Sequence, residues 1–254
     1  MALSDLLDLT GHTALVTGAG GGIGADIARA LSGAGARVIL HYNKNETSAE
    51  TLAHEINAER IIKCNLAKPP KIKAMINTLV AEERTPDLLV NNAGVQTVAE
   101  ILKADAQVWQ DINDVNLGGA YALTKYVAKA LVAAKRGGAI VNIASIEGLD
   151  PAEGHAHYAA SKAALLMFTR ASALELGKHN IRVNAVAPGL ISRPGIEDDW
   201  PEGVKRWRDR APLTRLGTGD DVAGAVLYLL SPAAVWISGN TLNVDGGMSA
   251  QNRW

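Results

Sequence analysis

The sequence predicts an α/β protein: a doubly wound parallel sheet, three layers deep, folded as a single domain over residues 1–254. Three observations predict it. Short apolar, β-branched runs alternate with stretches of helical periodicity along the chain. A glycine-rich turn joins the first such run to the first helical pattern. With 254 residues, 48% of them hydrophobic, the chain can bury a sizeable core, and α/β folds of this size are often one domain.

The first strand is Thr13-Ala-Leu-Val-Thr17, which runs into Gly18-Ala-Gly-Gly-Gly-Ile-Gly24; Ile23, Ile27, Ala30 and Leu31 then recur at helical spacing. Strand, glycine turn and helix suit a dinucleotide, because glycines permit close backbone approach and the helix N-terminus faces the pyrophosphate. A plain turn is the other reading. Further strands are expected at Arg37–Tyr42, Ile61–Cys64, Leu88–Asn91, Ala139–Ala144, Ile181–Val186 and Thr241–Val244. Ligands of open α/β sheets bind beyond the carboxyl ends of the strands. The glycine loop, Asn91–Gly94, Ser145 and Pro188–Gly189 all follow strands directly, so they are expected to gather at one edge. Residues 190–214, rich in Pro, charge and Trp, are expected to form a mobile substrate lid, with Trp200 and Trp207 sharing a helix face. Permanent packing of both rings on the core or on another subunit is the alternative.

The chemistry centres on Tyr158-Ala-Ala-Ser-Lys162, with Ser145 thirteen residues upstream. Residues four apart share a helix face, so the phenol and the ammonium project together. A free tyrosine, pKa about 10, is a poor base at neutral pH; lowering it by ~3 units needs about 4 kcal/mol, which a cation ~4–5 Å away at an effective dielectric of ~20 supplies. Such a phenol beside a hydroxyl suits interconversion of alcohols and carbonyls. A surface helix with a chance Tyr and Lys is the competing reading of this motif alone.

Thr17-Gly18-x-x-x-Gly22-x-Gly24, Asn91-Asn92-Ala93-Gly94, Asn116, Ser145, Tyr158-x-x-x-Lys162, Asn184 and Pro188-Gly189 together resemble the short-chain dehydrogenase/reductase family from about Leu9 to Gly247. The resemblance implies a Rossmann-type domain and an NAD(P)-dependent oxidoreductase. It implies that Tyr158 exchanges the proton, Ser145 donates to the substrate oxygen, Lys162 also holds the nicotinamide ribose, and Asn116 keeps a water in a proton relay. A strand-end cap for Ser145 and a helix kink for Asn116 stay open beside those roles. It further implies cofactor contacts from Gly18, Gly20, Gly22, Ile23 and Gly24, from Asn65 and Leu66, from Asn92, Ala93 and Gly94, and from Pro188, Gly189 and Ile191. Asn65 stands where the family usually has aspartate, Gly21 where many NADP-dependent members carry a cation, and Arg193 where threonine is usual; Arg193 is expected near the pyrophosphate or substrate. A homotetramer with dihedral symmetry, using the helices at Asn116–Val132 and Tyr158–Lys178 and the final strand with its tail, is also implied; Trp254 supports it, because an aromatic terminus is more readily explained by burial against a neighbour than by exposure.

Cofactor choice is read at Tyr42, Asn43 and Lys44. NAD specificity uses a carboxylate at this position, which Tyr42 occupies; with Asn43 and Lys44 able to donate to a 2′-phosphate, NADP(H) is favoured, NAD(H) being the alternative. Gln96, Glu147, Leu149, His155, Arg193, Trp200 and Trp207 are the residues expected to face substrate. Their polar character favours a sugar, polyol or similar small molecule. A 3-oxoacyl reductase is the second reading, although only Arg136 of the two carrier-docking positions, Arg136 and His179, is clearly cationic. A catalytically silent cofactor-binding regulator is the third. Net charge −1, from 25 basic and 26 acidic residues, gives no reason to expect nucleic acid or an anionic membrane. No membrane span, basic signal start or metal ion is expected. The single cysteine, Cys64, excludes an internal disulfide and reads as a buried small residue. A cytoplasmic protein follows from these readings.

Overall fold

The structure is a computed structural model that describes residues 3–250. Seven strands form one parallel sheet: β1 (Thr13–Val16), β2 (Arg37–Tyr42), β3 (Arg60–Lys63), β4 (Leu88–Asn91), β5 (Gly138–Ile143), β6 (Ile181–Pro188) and β7 (Thr241–Val244). Their order across the sheet is β3-β2-β1-β4-β5-β6-β7. The winding reverses between β1 and β4, and that switch point opens a crevice at the carboxyl ends of the strands.

The helices between strands are α1 (Gly22–Gly33), α2 (Glu46–Ile56), α3 (Pro69–Ala81), α4 (Ala106–Asn113), α5 (Ala120–Ala133), α6 (Ala156–Leu176), α7 (Ile196–Asp199), α8 (Pro201–Arg210) and α9 (Gly219–Leu230). Strand side chains alternate between two apolar layers. Ala14, Val16, Val38, Leu40, Val90 and Val141 pack with Ile27, Leu31, Val222 and Val226 of α1 and α9. Leu15, Ile39, Leu89 and Ile140 pack on the other face with Ile76, Leu79, Leu123 and Val127 of α3 and α5. Burial of both sheet faces explains the near-continuous apolar strands.

Helix boundaries follow local chemistry. Pro69 and Pro201 open α3 and α8, where a missing N–H costs nothing. Asp105 caps α4 by accepting from Gln107 N at 2.8 Å, and Thr218 with Asp221 forms a reciprocal capping box on α9. The predicted third and fifth strands lie one residue earlier in the structure, and the sixth runs on to Pro188.

Candidate active site

Ser145 stands directly past β5, and Tyr158 and Lys162 lie in the first two turns of α6. The Ser145 hydroxyl hydrogen-bonds the Tyr158 phenol and also accepts from Glu147 N at 3.1 Å, so it is both a substrate-side hydroxyl and a cap. Lys162 is buried; its Nζ donates to Ile143 O at 2.8 Å and lies 5.5 Å from the centre of the Tyr158 ring.

The expectation that Lys162 lowers the phenol pKa does not hold for the chain by itself. Burial pushes Tyr158 up to about 12, the Ser145 hydrogen bond opposes the rise, and the Glu147 charge adds to it. Burial likewise pulls Lys162 down to about 8. A cation ~5 Å away at an effective dielectric of ~20 is worth roughly two pKa units, whereas full burial shifts a group by up to 3–5. Desolvation therefore wins, and Tyr158 is a protonated acid at neutral pH.

Asn116 sits in a single π-helical segment, Asp114–Gly119, spliced between α4 and α5. Such segments recur at functional sites because they re-aim one side chain. Asn116 Oδ1 accepts from Val95 N at 2.8 Å, while Nδ2 donates to Val95 O at 2.9 Å and to Ser161 Oγ at 3.2 Å. Both amide protons are thus used in clamping the loop after β4 onto α6. Only the second lone pair of Oδ1 is left on this side chain for a water.

At the crevice, Gly18 adopts a φ of +66°, and a Cβ there would lie 2.9 Å from Ala93 Cα. Gly24 is the close approach: a Cβ would lie 2.4 Å from Gly18 O. Asn92 Nδ2 donates to Thr17 O at 2.8 Å, and Thr17 Oγ1 accepts from Asn92 N and Ala93 N, which fastens β4 to the glycine loop. A dinucleotide fits this frame. Gly21 brings no side chain to cap α1, a Cβ on Gly21 or Gly22 would meet open space, and the first helical turn carries no acidic residue, so its amides can meet a pyrophosphate. Gly20 packs its backbone on Asn45, and Ile23 is half-buried. Gly94 adjoins both Asn116 Oδ1 and Lys162 Nζ. Lys162, with one hydrogen bond to protein, keeps two donors for ribose hydroxyls. At the end of β6, Pro188 and then Gly189 lead to a bridge closed by Ser192 N and Leu190 O with Gly217, which leaves the main-chain groups of Ile191 out of it.

Several cofactor-side expectations need correction. Tyr42 is buried and its hydroxyl donates to Glu46, so it has no donor for a ribose. Glu46 also brings a carboxylate beside the end of β2, where the residue order suggested none; Lys63 Nζ, 3.4 Å away, offsets it. Asn43 and Lys44 are exposed in the adjoining turn. Leu66 is buried beneath Gly119, and Asn65 Oδ1 accepts from Ala67 N at 3.0 Å, a bond that engages only the oxygen of that amide.

On the substrate side, Gln96, Glu147 and His155 meet. His155 Nδ1 lies 2.8 Å from Glu147 Oε2 and 3.5 Å from Gln96 Nε2, and its ring stands edge-on to Tyr158. Leu149 is exposed just beyond. The segment at 190–214 departs from expectation. Trp200 precedes α8 and lies over its first turn against Gly203, with Arg206 above the ring, whereas Trp207 lies against Gly189 and packs with Ile196, Val204 and Leu216. The rings do not share a face, because the helix starts only at Pro201. Arg193 is paired with Asp199 at 2.7 Å.

Sequence reading missed His41. It is 1% exposed, its Nδ1 accepts from Gly18 N at 3.2 Å, and its Nε2 donates to Cys64 O at 3.0 Å. An amide only donates and a carbonyl only accepts, so the ring is the neutral Nε2–H tautomer. Burial lowers its pKa to about 4, which agrees. A histidine inside an apolar strand was the one available signal.

A family model described as enoyl-(acyl carrier protein) reductase matches residues 18–249. A 3-oxoacyl-[acyl-carrier-protein] reductase of Synechocystis is 38% identical over 245 residues, covering 94% of this chain and 98% of that protein. Nodulation protein G of Rhizobium meliloti is 37% identical over 245 residues, covering 96% and 99%. Among solved structures, a gluconate 5-dehydrogenase from Burkholderia cenocepacia in complex with NADP and tartrate superposes with a TM-score of 0.93 at 32% identity, covering 99% of this chain and 100% of that one. A short-chain type dehydrogenase/reductase from Mycobacterium marinum gives 0.92 at 33%, covering 98% and 100%.

Proposed function

The chain belongs to the short-chain dehydrogenase/reductase family, and from that premise we propose that it interconverts a secondary alcohol and a ketone on a sugar, polyol or similar hydroxylated small molecule, preferring NADP(H). It is an NAD(P)-dependent oxidoreductase. The observation that carries the substrate reading is the polar wall of Gln96, His155 and Glu147 beside the Tyr158 phenol. The gluconate 5-dehydrogenase complex with NADP supports it.

A nicotinamide bound here would supply or accept the hydride, its oxidised form adding positive charge. In reduction, Ser145 donates to the carbonyl oxygen and Tyr158 gives its proton to the forming alkoxide. In oxidation, the Tyr158 phenolate removes the hydroxyl proton. Lys162, with donors to spare beside its bond to Ile143 O, would hold the ribose hydroxyls. Proton and hydride leave the alcohol together, so the reaction balances with one proton released on oxidation.

A 3-oxoacyl reductase is the second reading, favoured by the 38% identity to the Synechocystis protein. Against it, Arg136 is engaged by Asp87 at 3.0 Å and is not a free cation for a carrier. We also infer that residues 190–214 cover the substrate. Exposed Tyr121, Met167 and Leu174 on α5 and α6 support a homotetramer, for which light scattering is the test; Trp254 lies outside the described residues. Among those residues no helix is long and apolar enough to cross a membrane.

The deciding experiment is a panel of sugars, polyols, alcohols and 3-oxoacyl thioesters assayed by nicotinamide absorbance with both cofactors. Turnover confined to thioesters would overturn the polyol reading.

A further inference from the structure

Glu147 and His155 lie on different elements, the short turn after β5 and the N-cap of α6. Their side chains are 19% and 16% exposed, and they meet at 2.8 Å. The Ser145 Oγ that accepts from Glu147 N is the same oxygen that engages Tyr158. The His155 ring stands 6.2 Å from the Tyr158 ring, near perpendicular to it. With Nδ1 held by the carboxylate, Nε2 is the polar atom that the imidazole can offer to a ligand, and the carboxylate fixes the tautomer that offers it. Gln96, from the loop after β4, closes the same corner.

We propose that His155, oriented by Glu147 and flanked by Gln96, reads a hydroxyl on the carbon next to the reacting carbon, so that the substrates are vicinal diols and α-hydroxy ketones. This rests on the alcohol/ketone reading above. A substrate with its oxygen on Ser145 and Tyr158 would bring the oxygen of the next carbon toward the imidazole, whose ring centre stands 6.2 Å from that of Tyr158. A site built to hydrogen-bond a hydroxyl rejects the analogue that lacks it, because its buried polar groups are then left unpaired. A pair that only fastened the start of α6 would affect all substrates alike.

The test compares reduction of 3-hydroxy-2-butanone with that of 2-butanone by the full chain with NADPH. The quantity is the ratio of the two kcat/KM values. His155→Leu should lower this ratio about ten- to hundredfold. Glu147→Gln, which keeps the shape but weakens the hold on the ring, should lower it less, and His155→Gln should keep part of it. Circular dichroism checks that each variant is folded; should His155→Leu fail, the other two decide. A ratio unchanged within twofold in the folded variants overturns the subsite while leaving the oxidoreductase reading intact. Turnover of neither ketone by the unaltered enzyme also overturns the subsite, whereas the alcohol/ketone reading on sugars and polyols falls only if turnover in the substrate panel is confined to thioesters.

Discussion

The Lys162 ammonium lies 5.5 Å from the centre of the Tyr158 ring, yet it donates to Ile143 O. Closeness alone does not activate the phenol, since burial lifts it to about 12 while lowering Lys162 to about 8. The chain by itself therefore presents an acid ready for carbonyl reduction. Oxidation requires the phenol to lose its proton first.

The two directions should differ in pH dependence. With Tyr158 protonated well past neutrality and Lys162 losing its proton near 8, reduction should be flat up to about pH 7 and fall above it. Oxidation should rise with pH, at most tenfold per unit, because the needed phenolate grows at that rate below its pKa. Initial rates in both directions check this. Tyr158→Phe should abolish both while cofactor affinity stays within a few-fold, and Lys162→Ala should damage turnover and affinity together. Retention of more than about a tenth of turnover by the Phe variant would refute the assignment.

Lys44 is exposed at the end of β2, beside the Glu46 carboxylate that Tyr42 and Lys63 hold. A charge-assisted hydrogen bond is worth ~1.5–3 kcal/mol, so Lys44→Ala should weaken NADP(H) about ten- to hundredfold and leave NAD(H) nearly unchanged. Fluorescence titration with both cofactors distinguishes this from equal losses, which would make Lys44 only a turn residue.

His41 should make the fold sensitive to mild acid. Above about pH 6.5 it is neutral whether folded or unfolded. Between 6.5 and about 4 the unfolded chain takes up a proton that the folded one refuses, so stability falls as pH falls. The full loss is on the order of 3 kcal/mol. An imidazole resonance titrating near its ordinary value, or unfolding insensitive to this window, would show that His41 does not tie Gly18 to Cys64.

Trp207→Ala should remove the ring that backs Gly189, costing up to about 3 kcal/mol and raising KM for substrate with little change in cofactor affinity. Trp200, 48% exposed, should matter less to stability. Thermal melts and steady-state kinetics on both variants check the contrast. Equal loss of stability with unchanged substrate ranking would make the segment structural only.

The strands, the glycine loop after Thr17 and the Ser145, Tyr158 and Lys162 set were legible in the residue order because each depends on near neighbours. Short continuous apolar runs, a glycine between strand and helix, and a four-residue helical spacing are local patterns. Tertiary structure alone decided the rest. The sheet order that puts β1 beside β4 rests on pairing between distant segments. The raised Tyr158, the Glu46 carboxylate at Tyr42, the Arg193–Asp199 pair and the Glu147–His155 contact all depend on distances through space. Desolvation above all has no one-dimensional signature: a Lys four residues from a Tyr looks the same in water as in the interior, and burial determines which of the two effects prevails.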